Sequence, residues 1–183
     1  MPYLKGNLHT HTFFSDGVEP PEEILSIYAD LGFDFVAITD HDYQIRPHYW
    51  ESIPDKKGEL IVFKGVELQY APLHYQHIGK IMGDEETLFV FNHPQQYRLS
   101  IPEVNRQITI ISRDLPLHGI EVTDKGVYIP LYDTPAILLP KIASDDAHCS
   151  DQCGKAWIEV QSRRQRDAIL RAIKAGNFRL GFK

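Results

Sequence analysis

Cysteine is nearly absent: the chain of 183 residues holds only Cys149 and Cys153. Two thiols cannot build the disulfide framework of a small secreted module, and alone they cannot complete a structural zinc site. They stand as free thiols, a weak redox pair or accessory ligands, with inert thiols the plainest reading. Long apolar runs are missing too. No stretch approaches the roughly 18 apolar residues of a membrane span, and Met1 to Gly6 is not a signal peptide. There is no basic excess either: the formal net charge is −6. That balance argues against a nucleic-acid surface built on bulk charge and leaves at most a nucleotide or short oligonucleotide in view. Repeats, low-complexity stretches and Gly/Ser linkers do not occur. The expectation is a single domain over residues 1–183, soluble and cytoplasmic, with nothing in the pattern selecting an oligomeric state.

What the chain has instead is histidine, nine of them, several in clusters. Around them, strand-like and helix-like segments alternate. Gly6 to His11 reads as a strand. Pro20-Pro21-Glu22-Glu23 opens a helix, since proline suits the first turn and acids match the helix dipole. Ile24, Ile27, Tyr28 and Leu31 give that helix an apolar stripe, and Gly32 ends it. Phe33–Thr39, Leu60–Leu68, His77–Met82, Thr87–Asn92, Gly119–Thr123, Lys141–Ser144 and Ala156–Val160 read as further strands. Ser100 with Glu103, and Ser162 with Gln165, form capping boxes ahead of helices running to about Arg113 and Gly176. This is an α/β pattern with a largely parallel sheet, and the pattern alone does not separate an open sheet from a barrel.

The histidines and acids are placed in a telling way. His9, His11, Asp16, His41, Glu67, His93, Asp146 and His148 fall at or just past the C-terminal ends of these strands. That edge carries the active site in barrels and the ligand crevice in open sheets. His9 and His11 are two apart, so on a strand their rings point to one side and converge. Asp146 and His148 repeat the spacing. Pro94 biases His93 toward an extended backbone. Imidazoles and carboxylates without thiolate suit zinc, manganese or iron(II). Taken singly, each piece fits a packed or ion-paired side chain as well as a ligand; jointly they point to metal.

The run Asn7-Leu-His-Thr-His-Thr-Phe-Phe-Ser-Asp-Gly17 resembles the first motif of the PHP (polymerase and histidinol phosphatase) family. Ile38-Thr-Asp-His-Asp42 resembles the second motif, and Gly65-Val-Glu67 the family's bridging glutamate. Asn92-His-Pro94 and Ser144-Asp-Asp-Ala-His148 resemble the third and fourth. The resemblance runs in the family's order along nearly the whole chain. It implies a distorted (β/α)7, TIM-like barrel and up to three divalent metal ions, zinc, manganese or iron. It assigns His9, His11, Glu67 and Asp146 to the first ion, Glu67, His77 and His93 to the second, and Asp16, His41 and His148 to the third. His77 is preferred to the nearby His74 because it leads into the apolar segment Ile78–Met82.

The activity so implied is that of a phosphoesterase acting on a small phosphomonoester, nucleotide-derived or like histidinol phosphate. Hydroxide activated by metal would be the nucleophile, with Asp146, His148 and Glu67 in catalytic roles. The alternatives are an amidohydrolase-like hydrolase of C–N bonds and a non-catalytic metal-binding module. Arg98, Lys125 and Arg46 are candidate contacts to the substrate phosphate, each also readable as a solvated surface charge. Asp40 either orients His41 or serves an ordinary turn. The aromatic, proline-interrupted segment Tyr43–Trp50 reads as a pocket wall or as core. His48, His74 and His118 carry no motif, and Arg163, Arg164 and Arg166 lie away from the site. The chain's end at Lys183 leaves no room for an attached polymerase.

Overall fold

The computed structural model describes residues 2–73 and 75–183. His74, the alternative to His77, lies outside the described residues. Among the described residues twelve strands and four α-helices follow in chain order: β1 Tyr3–Asn7, α1 Pro21–Asp30, β2 Phe35–Ile38, α2 Tyr49–Ser52, β3 Lys56–Lys57, β4 Leu60–Tyr70, β5 Gln76–Met82, β6 Thr87–Phe91, α3 Ile101–Ile111, β7 Gly119–Glu121, β8 Thr123–Asp124, β9 Val127–Tyr128, β10 Lys141–Ile142, β11 Ala156–Gln161, α4 Arg166–Lys174 and β12 Phe178–Phe182. The main sheet runs β10-β7-β6-β5-β4-β2-β1-β11-β12. A bridge from Thr10, just past β1, to Ala147, just past β10, brings its first seven strands round into a nearly closed, TIM-like barrel. β11 and β12 continue the sheet outside it.

The barrel is mixed rather than largely parallel. β1, β2 and β4 pair in parallel, as do β6, β7 and β10, but β5 runs antiparallel to both β4 and β6. The reason is chain length. Parallel neighbours need a crossover of about a dozen residues or more, and only residues 71–75 and 83–86 flank β5. The beginning of β5 therefore meets the ends of its neighbours.

Leu4, Phe35, Phe63, Ile81, Leu88 and Ile142, from six barrel strands, form the interior cluster, into which Ile169, Leu170 and Ile173 of α4 pack. Each such side chain is worth about 1.5–3 kcal/mol when buried. Helix α4 starts at Arg166, and the Ser162–Gln165 capping box does not form: Ser162 donates to Arg163 O instead. Asp167 takes up the first turn and accepts the N–H groups of Asp84, Glu85 and Glu86 in the β5–β6 turn. Arg166 pairs with Asp55 and Asp84 nearby. These contacts fix α4 at the end of the barrel opposite the histidines. Helix α1 begins on Pro21 with Glu22 and Glu23 in its first turn, as expected, and Ser100 donates twice to Glu103 ahead of α3. No helix among the described residues is long and apolar enough to cross a membrane.

Part of the Tyr43–Trp50 segment is core. Tyr49 is buried, and its hydroxyl donates to Gly65 O at 2.6 Å, with Ile38 O at 3.2 Å as the alternate acceptor. Those carbonyls belong to adjacent strands that lead to His41 and Glu67. Tyr49→Phe leaves Gly65 O without its buried donor, so urea unfolding should show a loss of about 1–2 kcal/mol.

Candidate metal centre

β1 ends at Asn7, so His9 and His11 lie on the extended segment beyond it rather than on the strand. The closing bridge of the barrel sits between them, with His11 N–H donating to Ala147 O at 2.8 Å. The next turn is held by Asp40, not loosely but at three points. Its carboxylate accepts from Thr12 N (2.8 Å), Thr12 Oγ1 (2.8 Å) and Ser15 Oγ (2.6 Å). Asp40 thus fixes the loop that presents Asp16; it does not orient His41. Gly17 closes this loop so tightly that a Cβ would fall 2.7 Å from the backbone of His11.

His93 and Asp146 both have positive φ, +22° and +49°. The extended backbone expected of His93 from Pro94 is not adopted. Its N–H instead donates to Glu121 Oε2 at 2.8 Å while its carbonyl accepts from Gln96 N, and these bonds override the local preference. Non-glycine residues in that region are uncommon and concentrate at functional sites.

Glu67 is the centre of the arrangement and is fully buried. Its Oε1 lies 3.1 Å from His9 Nε2, 2.9 Å from His93 Nε2 and 2.8 Å from Asn92 Nδ2. Its Oε2 lies 2.9 Å from His41 Nδ1, 3.1 Å from His77 Nδ1 and 3.7 Å from His11 Nε2. Asp146 Oδ1 faces both His9 Nε2 (3.4 Å) and His11 Nε2 (3.3 Å). Asp16, the exposed acid of the set, faces His41 at 3.3 Å, His148 at 3.4 Å and His11 at 3.6 Å. All nine sequence-expected ligands therefore meet at one rim, His77 from the start of the antiparallel strand β5.

The donor set fits divalent cations. Four overlapping groups bring their ligand atoms within 4.8 Å of one another: His9-His11-Glu67, His9-His93-Glu121, His41-Glu67-His77 and His11-Asp16-His41-His148. His77 thus shares its side of Glu67 with His41, and His93 shares the other side with His9. The ring nitrogens Nε2 of His9 and His11 are 3.0 Å apart, close to the edge of a coordination polyhedron with bonds of about 2.0–2.1 Å. His11 Nδ1, His41 Nδ1, His77 Nδ1, His93 Nδ1, Glu67 Oε2 and Asp146 Oδ1 are buried without a hydrogen-bond partner. For His41 and His77 the carboxylate is near enough, yet the alignment of a hydrogen bond is missing. Buried polar atoms left in this way call for an ion or water.

Electrostatics in the metal-free protein follow from the crowding. Burial alone would raise Glu67, but the charges of His9 and His93, with the rings of His41 and His77 close against its other oxygen, hold it well below the usual carboxylate range. Burial alone would lower His41, but Asp16 and Glu67 raise it to about 9. The stability this protonated ring contributes is fully present below the unfolded value of about 6.5 and is lost as pH rises through about 9. A metal ligand must be neutral, so metal binding shows the reverse trend. The rise in melting temperature on adding Zn²⁺ is accordingly expected to grow between about pH 6.5 and pH 9. A rise that stays flat or shrinks across that window would contradict the ligand role of His41.

Asp16, His41, Glu67, His77, His93, Asp146 and His148 line a cavity of about 220 Å³ together with Gln96 and Lys125. Lys125 gets there through a two-residue turn between β8 and β9, in which Lys125 and Gly126 both have positive φ (+50° and +76°), as a type I′ hairpin requires. Arg46 and Arg98 are exposed and do not line the cavity. Tyr43 is exposed above His41, ring centroids 5.2 Å apart, and Tyr97 stacks on His93. His48 is exposed, and His118 accepts from Phe89 N at the β6–β7 edge. Both cysteines are free and outside the four ligand groups; burial pushes the Cys153 thiol up to about 12. Two buried acids had no role in the sequence reading. Glu121 touches His9 and His93, and Asp145 accepts backbone N–H groups beneath the site.

A family model described as "PHP domain" matches residues 7–136, and one described as "PHP-associated" matches residues 138–178. No curated protein sequence matches significantly. Two solved structures share the fold. One is a two-domain protein from Bacteroides vulgatus described as containing a predicted PHP-like metal-dependent phosphoesterase, with a TM-score of 0.72 and 21% identity. The match covers 98% of this chain but only 65% of that protein. The other is PsfC from Pseudomonas syringae, with a TM-score of 0.69, 16% identity, and coverage of 100% of this chain and 93% of that one.

Proposed function

This chain belongs to the PHP domain family, and on that footing we propose that it is a metal-dependent phosphoesterase acting in the cytoplasm on a small phosphomonoester, nucleotide-derived or like histidinol phosphate. The observation that carries the reading is Glu67: a fully buried carboxylate with ring nitrogens of His9 and His93 on one oxygen and of His41 and His77 on the other. His9, His11, Glu67, His77, His93, His41, Asp16, Asp146 and His148 would hold up to three zinc, manganese or iron ions. Such ions supply Lewis acidity, polarising a phosphoryl group and making hydroxide available near neutral pH.

The chain's own groups fit the rest of the chemistry. Lys125 lines the cavity, from where its ammonium group would reach the non-bridging oxygens of a phosphate. His148 is a quarter exposed, and its Nδ1 lies 3.0 Å from Asp146 O. A proton on Nδ1 would be held by Asp146 O, leaving Nε2 bare beside Asp16 and the cavity, where it would either hold an ion or, when no ion takes it, relay a proton from water to the departing alkoxide. A cavity of about 220 Å³ is below the roughly 300 Å³ of drug-sized sites and suits a phosphoryl group with a small appendage.

The test is an assay of protein loaded separately with manganese, zinc and iron against phosphomonoesters and amides. Phosphate release is the expected result; inactivity on every phosphate ester, or turnover of amides alone, overturns the reading. Lys125→Ala should raise KM for the phosphate ester several-fold with little change in kcat, measured by initial rates; an unchanged KM removes Lys125 from the substrate site.

A further inference from the structure

Glu121 stands outside the nine ligand candidates, yet it is buried beside them at the end of β7. Its Oε1 lies 2.9 Å from His9 Nδ1 and also takes the hydroxyl of Ser144; its Oε2 accepts the backbone N–H of His93 at 2.8 Å. One carboxylate thus ties together the segments leaving β1, β6 and β10, each of which delivers a ligand. His9 turns its other nitrogen, Nε2, toward Glu67 and Asp146. A ring that offers Nε2 to a cation must carry its proton on Nδ1, and that proton needs an acceptor. Glu121 is the acceptor in place. Its second oxygen meets a different need, because His93 has a positive φ that its own sequence context disfavours. The N–H bond to Glu121 secures that conformation, and with it the aim of His93 Nε2 at Glu67.

We propose that Glu121 is a positioning residue of the metal centre, fixing the tautomer of His9 and the backbone of His93 so that both present Nε2 to the ions. Direct ligation by Glu121 fits less well, since Oε1 is already shared by two donors and Oε2 is taken by the His93 amide. The inference rests on the metal-centre reading above. Gln at this position keeps the shape but can satisfy only one neighbour. If its oxygen accepts from His93, its amide N–H confronts His9 Nδ1 and favours the wrong tautomer.

The experiment measures Zn²⁺ affinity of the wild type, Glu121→Gln and Ser144→Ala by competition with a chromophoric chelator. Long-range ¹H–¹⁵N spectra of the zinc-loaded proteins report which nitrogen of His9 carries the proton. The wild type should show His9 protonated at Nδ1, and Glu121→Gln should bind Zn²⁺ roughly 10–100-fold more weakly, as loss of an outer carboxylate does elsewhere. Ser144→Ala, which keeps the carboxylate, should weaken binding by no more than about tenfold and serves as the informative variant if Glu121→Gln fails to fold. Wild-type affinity with an unchanged His9 signature in Glu121→Gln overturns the proposal. So does a zinc-loaded wild type in which His9 Nδ1 bears no proton, or a Ser144→Ala protein weakened as much as a ligand deletion. A wild type that takes up no metal at all is a different result: it sinks the metal-centre reading itself, and the proposal with it.

Discussion

Glu67→Ala is expected to purify without its metal complement and to lose phosphoesterase activity by more than about a hundredfold. Outer-shell changes at metal sites already reach that size, and Glu67 is no outer residue. Between them its two oxygens face five imidazoles at 2.9–3.7 Å, as no other carboxylate among the described residues does. Alanine leaves His77 and His93 without any carboxylate among their ion-pair contacts, and leaves His41 with Asp16 alone. The metal-free protein should weaken as well. Removing one side of a buried charge cluster leaves the other side uncompensated, typically at about 3–5 kcal/mol. Some of that is recovered because His9, His41 and His93, no longer held protonated by Glu67, give up their protons at lower pH.

Glu67→Gln separates the two effects. The amide keeps the packing and one acceptor oxygen, so the fold should survive, but its N–H₂ end turns a donor toward ring nitrogens that must stay free. Metal analysis by plasma mass spectrometry and a phosphate-release assay read both variants. Full activity with a normal metal content in Glu67→Ala would remove Glu67 from the site.

Much of this centre was legible in the sequence because its spacing is local. His9 and His11 converge as an i, i+2 pair on extended chain, and the acids follow at strand ends. The direction of the sheet was misread at β5, although the clue was present. The links of a few residues before His77 and after Met82 leave no room for crossovers, so hairpins are the only connection available. Glu121 was missed although Gly119-Ile-Glu121 repeats the pattern of Gly65-Val-Glu67, a lone acid within an apolar strand at the same rim. Asp40 stayed open between orienting His41 and serving a turn because its partners, Thr12 and Ser15, lie 25 or more residues away, where the local sequence carries no signal of them. β12 escaped notice because a short alternating strand after a helix has little signal apart from its pairing with β11. The Ser162–Gln165 box fails because the helix begins later than its pattern suggests: Gln165 stands at the N-cap and Ser162 lies before the first turn.

Asp145→Ala should produce the largest loss of stability of any single change outside the ligand set. Its side chain is fully buried. Oδ1 accepts the N–H groups of Lys155 and Ala156, both at 2.8 Å, and Oδ2 accepts Gly154 N–H at 2.7 Å and the Tyr28 hydroxyl at 2.8 Å. Tyr28 in turn meets Asn7 and Thr10, and Asn7 donates to His9 O, so the network reaches the first ligand. Alanine strands three backbone donors, each worth about 1–3 kcal/mol when buried and unsatisfied. With partial relief by water the net loss should be about 3–5 kcal/mol, or a fall on the order of 10 °C in melting temperature for a chain of this size. Asn keeps the Oδ1 acceptor and sets a donor against Gly154 N–H, so Asp145→Asn should lose roughly 1–3 kcal/mol. Burial also holds the Asp145 carboxyl above its ordinary range despite these bonds. A raised carboxyl binds its proton more tightly when folded, so part of the wild-type stability is lost as pH rises through that pKa. The Asn variant lacks the titrating group and should lack that slope. Thermal and urea unfolding across pH 4–8 decide the matter: if Asp145→Ala melts within about 2 °C of the wild type, the buried network does not hold the segments that deliver His9 and Asp146.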